Sequence, residues 1–201
     1  MSSEIEFEAI PGLPGELPPG ERVLWQGKPE WKALARHTFK VRLLAAYFAV
    51  FVGLRLVLGL GQDGKTLALQ VLLAVGLAAA CLAVLCLMAW ANARSTIYTI
   101  TTRRIVMRIG VALPMTWNLP FKRLAAADLK EHREGNGDIA LQLTAPNRIA
   151  WLHLWPHVQP WHFVKARPTL RTIAEPSRVA ALLADAVRAS GATGGATGAR
   201  A

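Results

Sequence analysis

Acidic residues are scarce in this chain of 201 residues, which has 13 Asp and Glu against 23 Lys and Arg and a net charge of +10. Five of the acids are glutamates within residues 1–21, a stretch without Lys or Arg, so the basic residues all lie downstream. Such a balance suits either nucleic acid or an anionic membrane surface. The positions of the basic residues along the chain must decide between nucleic acid and a membrane surface as the partner.

Cysteine is nearly absent. The two that occur, Cys81 and Cys86, are five positions apart inside one apolar run, so they fall on different faces of a helix. Neither a disulfide framework nor a zinc site fits this pattern. We expect both to be small residues of a buried helix.

Motifs of catalysis are missing as well. The sequence contains no glycine-rich phosphate loop, no G-x-S-x-G elbow and no H-E-x-x-H motif, and Asp128, Asp138 and Asp185 are scattered. We therefore predict that the protein is not an enzyme and has no catalytic residues, metal or cofactor.

The N-terminus lacks the pattern of a signal peptide, because MSSEIEFEAIPGLPGELPPG is acidic and then rich in Pro and Gly. We expect residues 1–20 to be disordered. The following GERVLWQ, Gly20–Gln26, has the apolar and aromatic content of a short strand.

Two long apolar runs dominate what the chain does contain. Residues 71–90 carry no charge, and a helix of this length spans roughly 30 Å of hydrocarbon. The other run contains Arg55, whose insertion cost of about 3 kcal/mol is outweighed by around a dozen apolar side chains. Only GQDGK separates the runs. We predict a transmembrane hairpin over 43–90, with helices at 43–60 and 66–90.

The distribution of charge predicts the orientation of this hairpin. Lys and Arg flank both runs on their outer sides, whereas the connecting turn has only Lys65, so the positive-inside rule places both termini in the cytoplasm. Residues 21–42 should hold the short strand and a basic interfacial helix. Its cations either contact anionic headgroups or only set the topology. The predicted membrane-interface residues are Trp31, Lys32, Arg36, Lys40 and Trp90.

Two features of the runs leave alternatives open. Arg55 either extends to the far interface or pairs with a partner's carboxylate or a lipid phosphate. Small residues at four-residue spacing predict close helix packing, either within the hairpin or against another membrane protein. These small residues are Ala45, Ala49, Gly53, Gly76, Ala79, Ala80 and Ala83.

Beyond the runs the pattern changes to period two, which predicts strands. In RRIVMRIGV the apolar residues Ile105, Met107 and Ile109 occupy every second position, and MTWNLPF continues the alternation. Asn136 and Gly137 in EGNGD predict a hairpin turn before the strand DIALQLT. After a second turn, RIAWLHLW is the next predicted strand.

The last ordered element follows helical spacing. In EPSRVAALLADAVRAS the apolar residues recur every three or four positions, with Pro176 suited to the first turn and Gly191 to the stop. Five or more short strands closed by one amphipathic helix form a small barrel or sandwich of pleckstrin-homology-like (PH-like) architecture. We predict this cytoplasmic domain over 92–190 and a flexible tail over 191–201.

Three stretches of sequence carry a more specific resemblance. PGERVLWQGKPEW, YTITTRRIVMRIGVALPMTWNLPF and LWPHVQPW, in this order around the two apolar runs, resemble the PuhB family of photosynthetic complex assembly proteins of purple bacteria. The resemblance runs from about Leu13 to Ala189. It implies a non-enzymatic assembly factor for the reaction centre and light-harvesting 1 (LH1) complex, with a bacterial PH-like domain, in the inner (intracytoplasmic) membrane.

The resemblance also implies partners among the reaction-centre and LH1 subunits. Membrane lipid is a further expected partner and self-association is left open, whereas nucleic acid is not expected for a domain held at the membrane by the short linker ANARS. Trp and Arg are enriched at protein interfaces, with core packing as the alternative for Trp117 and Trp151. The candidate partner or lipid contacts are Arg55, Arg104, Arg108, Lys122, Arg123, Trp155 and Trp161.

Two further hypotheses remain beside this one. A PH-like module that binds anionic headgroups is the main alternative, because the basic residues would serve it equally well. A bacteriochlorophyll carrier would use His153, His157 or His162. We expect these histidines to pack or form hydrogen bonds instead, because prolines interrupt the cluster and no cysteine or carboxylate accompanies it.

Overall fold

The chain divides into two compact units in the computed structural model. Trp31–Ala91 form a helical unit, and the residues up to Glu30 join those from Asn92 onward in what we call the strand domain. The predicted disordered residues 1–10 and the predicted strand RIAWLHLW, apart from its last residue, lie outside the described ranges. The structure describes residues 11–13, 15–111, 113–144, 155–158 and 167–197.

The helical unit consists of one short helical segment and two long helices. The short segment α1 covers Trp31–Ala33 and continues as a π-helical turn over Leu34–Thr38. The long helices are α2, Val41–Leu58, and α3, Gly64–Ser95. Both α2 and α3 are long and apolar enough to cross a membrane, and almost no residue of their most apolar stretches is buried within the protein. This exposure distinguishes them from the core helix of a soluble protein. The two predicted helices are confirmed, and each begins two residues earlier than expected.

A short polar turn joins the long helices, as predicted. Gly61 takes a φ of 100°, a left-handed conformation that glycine adopts without a steric penalty. Asp63 then caps α3, because its carboxylate accepts the Thr66 backbone N–H at 3.2 Å.

The small residues do not pack the hairpin against itself. A Cβ atom added at Gly53 or Gly76 would meet no atom within 4 Å, and α2 has no buried residue. The helices approach each other near the turn instead, where Gly59 lies against the Leu67 side chain. Close packing of the small residues within the hairpin is therefore not observed, whereas their packing against another membrane protein stays a prediction.

The basic helix before α2 is shorter than expected. Its α-helical part covers three residues, the next turn is π-helical, and Lys40 adopts a left-handed conformation with φ of 56°. A stripe of Lys32, Arg36 and Lys40 needs one continuous α-helix, so it does not form.

The described part of the strand domain contains seven strands and one long helix. The bounds are β1 Val23–Gly27, β2 Ile97–Thr101, β3 Arg104–Ile109, β4 Met115–Pro120, β5 Leu124–Glu131, β6 Asn136–Leu143, β7 Thr169–Ala174 and α4 Pro176–Thr197. The strands form two antiparallel sheets, β1-β2-β3-β4 and β5-β6-β7, with a 3₁₀ helix at Phe121–Arg123 between them. The predicted PH-like fold class is confirmed.

The strand before the helical unit pairs with the first strand after it. β1 is antiparallel to β2, with Trp25 opposite Ile100 and Gly27 opposite Tyr98. The helical unit is therefore an insertion between two neighbouring strands of one sheet. The sequence-based division set residues 21–42 apart from the domain at 92–190, whereas the structure makes β1 the edge of that domain's first sheet.

Both connections to the helical unit leave this sheet at the same end. Gly27, the last residue of β1, lies opposite Tyr98, next to the start of β2. We call this the tether end. The opposite end holds Val23 and Thr101, which face each other across the two strands.

The segment before β1 contacts the strand domain. The Gln26 side-chain amide donates to the Pro11 carbonyl at 2.6 Å and to the Thr99 hydroxyl at 3.0 Å. Pro11 is therefore held against the strand domain by a contact that the local composition does not reveal, while the disorder of residues 1–20 as a whole stays a prediction.

The core lies between the two sheets and α4. Burying each large aliphatic side chain contributes about 1.5–3 kcal/mol relative to exposure. Val179, Leu183 and Ala186 line the inner face of α4 at the predicted helical spacing. The buried core residues of the strands are Tyr98, Ile100, Ile105, Met107, Ile109, Leu119, Ile139, Leu141, Leu170 and Ile173.

Two predicted boundaries are wrong. α4 continues past Gly191 to Thr197, because a glycine ends a helix only where the backbone turns into the left-handed region. Asn136 and Gly137 lie inside β6 and not in its preceding turn. Gly135 makes that turn with φ of 76°, and the Asn136 side chain donates to the Glu30 carboxylate at 3.1 Å.

Candidate functional site

The predicted cationic contacts do not form one surface. Arg104 makes a two-point ion pair with Glu21, in which Nε donates to Oε1 at 2.8 Å and Nη2 to Oε2 at 3.1 Å. The Glu21 side chain is 2% exposed and also accepts the Thr101 hydroxyl at 2.7 Å. Arg104 therefore holds the segment before β1 in place and offers little charge to a partner.

Arg108 lies near the other end of β3, opposite Ile97. It is half-buried and belongs to the tether end. At about 3.3 Å per residue, it is roughly 13 Å along the strand from Arg104. The two arginines therefore cannot act together on one small ligand.

Lys122 and Arg123 do gather with another cation. Both are exposed in the 3₁₀ helix between β4 and β5. The backbone N–H of Phe121 donates to the Arg103 carbonyl at 3.2 Å, which brings the turn between β2 and β3 beside this helix. Arg103 is exposed as well.

A fourth cation joins this group through β1. The Thr102 N–H donates to the Arg22 carbonyl at 3.0 Å, and the Arg22 N–H donates to the Thr102 hydroxyl at 3.3 Å. Sequence reasoning missed Arg22, because its place beside Thr102 follows only from the pairing of β1 with β2. We call the surface formed by Arg22, Arg103, Lys122 and Arg123 the basic end.

The aromatic candidates differ in their surroundings. Trp155 is 42% exposed, whereas Trp161 and Trp151 lie outside the described residues. Trp117 is half-buried and packs against the core, as does Trp25. For Trp117, core packing is therefore the role that the structure supports.

The predicted interface residues lie in the helical unit. Trp31 and Trp90 are 40% and 45% exposed, and the Lys32 ammonium is 5.9 Å from the centroid of the Trp31 ring. Arg55 donates from Nη2 to the Gln70 Oε1 at 3.4 Å, a contact between α2 and α3 that neither alternative anticipated. In hydrocarbon such a bond satisfies two polar side chains at once.

Polar side chains that are fully buried meet around His157. Its Nδ1 lies 2.6 Å from the Tyr98 hydroxyl, and its Nε2 lies 3.0 Å from the Thr96 hydroxyl. The Tyr98 oxygen also accepts the Arg171 backbone N–H at 3.2 Å. Both ring nitrogens of His157 are therefore engaged with hydroxyl groups, one as donor and the other as acceptor according to the ring tautomer.

A buried ion pair lies beside this histidine. Arg171 donates to the Asp138 carboxylate at 2.9 Å and to the Val158 carbonyl at 2.6 Å. Asp138 also accepts the Thr172 backbone N–H at 2.8 Å. The two Nη atoms of Arg171 thus join Asp138 on β6 to the backbone at Val158, while its buried Nε has no hydrogen-bond partner within the described residues.

Burial determines the protonation of this network. It lowers the pKa of His157 to about 3, with the Arg171 charge acting in the same direction and Asp138 opposing it. Burial also raises the pKa of Tyr98 above its usual range. His157 is thus neutral at neutral pH, with both nitrogens in hydrogen bonds, so it has no lone pair for a metal or for bacteriochlorophyll magnesium.

The other two histidines of that cluster, His153 and His162, lie outside the described residues. Among the residues that the structure does describe, no group of three His, Cys, Asp or Glu side chains could hold a metal ion. Within the described residues, exposed surfaces include the basic end, the outer face of β5 and much of the long helices.

Comparisons with known proteins agree with this architecture. The model of the bacterial PH domain family matches residues 42–187, which include both long helices and the strands from β2 onward. A Rhodobacter capsulatus protein described as an uncharacterized 23.7 kDa protein in the puhA 5' region is 39% identical over 189 residues, which cover 92% of this chain and 88% of the relative. No solved structure gives a significant match.

Proposed function

This chain belongs to the bacterial PH domain family, and we propose that it is a membrane-anchored, non-enzymatic assembly factor for the reaction centre and LH1 complex of purple bacteria. The observation that carries the proposal is its 39% identity to a Rhodobacter capsulatus protein described by its position in the puhA 5' region. The architecture suits such a role, because a domain with exposed contact surfaces is joined at two points to helices of membrane length.

In this proposal α2 and α3 cross the inner (intracytoplasmic) membrane, and both termini lie in the cytoplasm. Arg and Lys are concentrated at and beyond the outer ends of the two helices, whereas the end near the connecting turn has one cation, Lys65 in the first turn of α3. The strand domain then stands beside nascent membrane subunits on the cytoplasmic side and contacts them transiently.

The absence of catalysis is also part of the proposal. The buried polar residues serve packing: His157 is 0% exposed and Arg171 is paired with Asp138. The strand domain exposes the arginines of the basic end and part of Trp155, and both residue types are enriched at binding interfaces.

Co-purification tests the proposal. A tagged chain, extracted in mild detergent from cells that are building their photosystem, should recover reaction-centre or LH1 subunits. The same tagged chain from cells grown without photosystem synthesis provides the background. Recovery of neither set of subunits, together with normal complex levels after deletion of the gene, would exclude the assembly role.

A second candidate function is binding of anionic lipid, which the basic end favours. It predicts that the full chain in neutral-lipid nanodiscs associates with separate anionic vesicles, and that salt weakens this association because the Debye length shortens. Lys122→Glu with Arg123→Glu should then abolish vesicle binding. Unchanged binding would exclude this alternative.

A further inference from the structure

A groove of about 390 Å³ lies between β1 and α4 in the strand domain. Its apolar lining includes Leu24, which is 40% exposed, and the half-buried Leu182. β1 is the outer strand of the first sheet, and within the described ranges it pairs with β2 alone. The free N–H and C=O groups of an outer strand can pair with a further extended segment. The groove therefore offers both the backbone groups and the apolar surface that an additional strand uses.

The chain itself contains a segment with the matching pattern. In residues 4–9, EIEFEA, acidic and apolar residues alternate: Glu4, Ile5, Glu6, Phe7, Glu8 and Ala9. A period of two is typical of a strand with one apolar and one polar face. Half of the six residues are acidic, so the segment needs an existing strand edge on which to order.

The described part of the chain begins at this groove. Gln26, which lines the groove, donates from its side-chain amide to the Pro11 carbonyl at 2.6 Å. Only Ile10 separates Pro11 from residues 4–9. Six extended residues cover roughly 20 Å, and the five residues of β1 cover roughly 17 Å, so the segment can follow the whole strand. The short connection also gives it a high effective concentration at the groove.

The charges of the groove and the segment are opposite in sign. Two cations, Lys28 and Arg178, line the groove with one carboxylate, Glu175. The segment has three glutamates and no cation. Exposed charge pairs contribute little by themselves. Apolar contact and backbone pairing must therefore supply most of the binding, while the charges favour this segment over a basic one.

We propose that residues 4–9 dock in the groove as an additional strand beside β1, with Ile5 and Phe7 on the side of α4. In this position the segment competes with any extended segment of another polypeptide for the same strand edge. The inference goes beyond the assembly role and does not depend on it, because the groove and the segment belong to the same chain.

The test measures cross-linking within the full chain in nanodiscs, in a background with Cys81→Ala and Cys86→Ala. Ala9→Cys places a thiol in the segment, Ala174→Cys places one at the groove, and a short bismaleimide joins thiols that lie close together. This pair should cross-link at least about fivefold faster than the control pair of Ala9→Cys with Ala126→Cys. Ala126 is exposed on β5, two strands across the second sheet and roughly 20 Å from Ala174.

A second comparison separates docking from mere proximity along the chain. Ile5→Asp with Phe7→Asp places charge on the apolar face and should slow cross-linking to Ala174→Cys to the rate of the control pair. Ser2→Asp with Ser3→Asp adds the same charge outside the alternating residues and should change the rate by less than about twofold. Ala126 and Ala174 are both exposed, so both cysteine variants should keep the melting temperature of the background chain.

Three results would overturn the inference. Equal rates for the Ala174 and Ala126 pairs would show that the segment does not prefer the groove, and an unchanged rate after the Ile5 and Phe7 substitutions would show that its apolar face does not hold it there. Cross-links that form only between chains, seen as a dimer in mixtures of tagged and untagged protein, would assign the groove to the segment of a second copy.

Discussion

Glu21 and Arg104 form a two-point ion pair that joins the segment before the helical unit to the strand that follows β2. This ion pair and the pairing of β1 with β2 connect the residues before the inserted helices to the residues that follow them. The strand domain therefore depends on residues from both sides of the helical unit.

We expect Arg104→Met to destabilise the protein by about 3 kcal/mol, because it leaves the buried Glu21 carboxylate without its counter-charge. The measurement is unfolding of the full chain in detergent, followed by tryptophan fluorescence. Arg178→Met removes an exposed ion pair and should cost less than about 1 kcal/mol. Equal losses in the two variants would show that the Glu21 pair does not hold the domain together.

Replacing the helical unit by a flexible linker should leave a folded strand domain. A chain of residues 11–30, about eight Gly and Ser, and residues 92–197 retains β1 beside β2 and should be soluble and unfold cooperatively. Residues 92–197 alone lack β1, so the edge of β2 is unpaired and the fragment should aggregate. If both chains behave alike in size-exclusion chromatography and thermal melts, β1 is dispensable.

Acidification should destabilise the strand domain through His157. Its pKa is about 3 in the folded protein against 6.5 in the unfolded chain. Between these values only the unfolded chain binds the proton, so stability falls as pH decreases below about 6.5, by up to about 1.4 kcal/mol per pH unit. His157→Gln should lower stability at neutral pH but show a shallower decline between about pH 6 and pH 4. An identical decline in the variant and the wild type would contradict the assignment of this titration to His157.

Cysteine labelling should reveal the orientation of the helices. In a chain with Cys81→Ala and Cys86→Ala, Gln62→Cys places a single thiol in the turn between α2 and α3, and Arg133→Cys places one in the strand domain. A membrane-impermeant maleimide should label the Gln62 position once the outer membrane is permeable, and the Arg133 position only after the inner membrane is broken. The reverse pattern would place the strand domain outside the cytoplasm.

Local patterns predicted the elements that local physics determines. The long apolar runs predicted α2 and α3 because their length matches a membrane-spanning helix. The alternation of Ile105, Met107 and Ile109 predicted β3, because a strand with one buried face repeats every two residues. β5 was not predicted, since its Ala, Lys and Glu residues have low strand propensity and nearly all of it is exposed. Hydrogen bonding to β6 outweighs that propensity.

The candidate contact residues were predicted less well than the elements. Sequence spacing grouped Arg104 and Arg108 with Lys122 and Arg123. In the structure the buried Glu21 carboxylate pairs with Arg104, and Arg108 lies at the tether end, opposite Ile97. Spacing along the chain does not show which cations meet across strands, so Arg22 was not among the candidates.

The sequence by itself determined the presence of two membrane-length helices, a mainly β domain and a closing amphipathic helix, because hydrophobic length and period act over neighbouring residues. Only the tertiary structure decided that β1 belongs to the sheet beyond the helices, that His157 is sealed between Tyr98 and Thr96, and which cations stay exposed. Those outcomes depend on contacts between residues more than fifty positions apart, and the pattern of neighbouring residues does not show which distant residues meet.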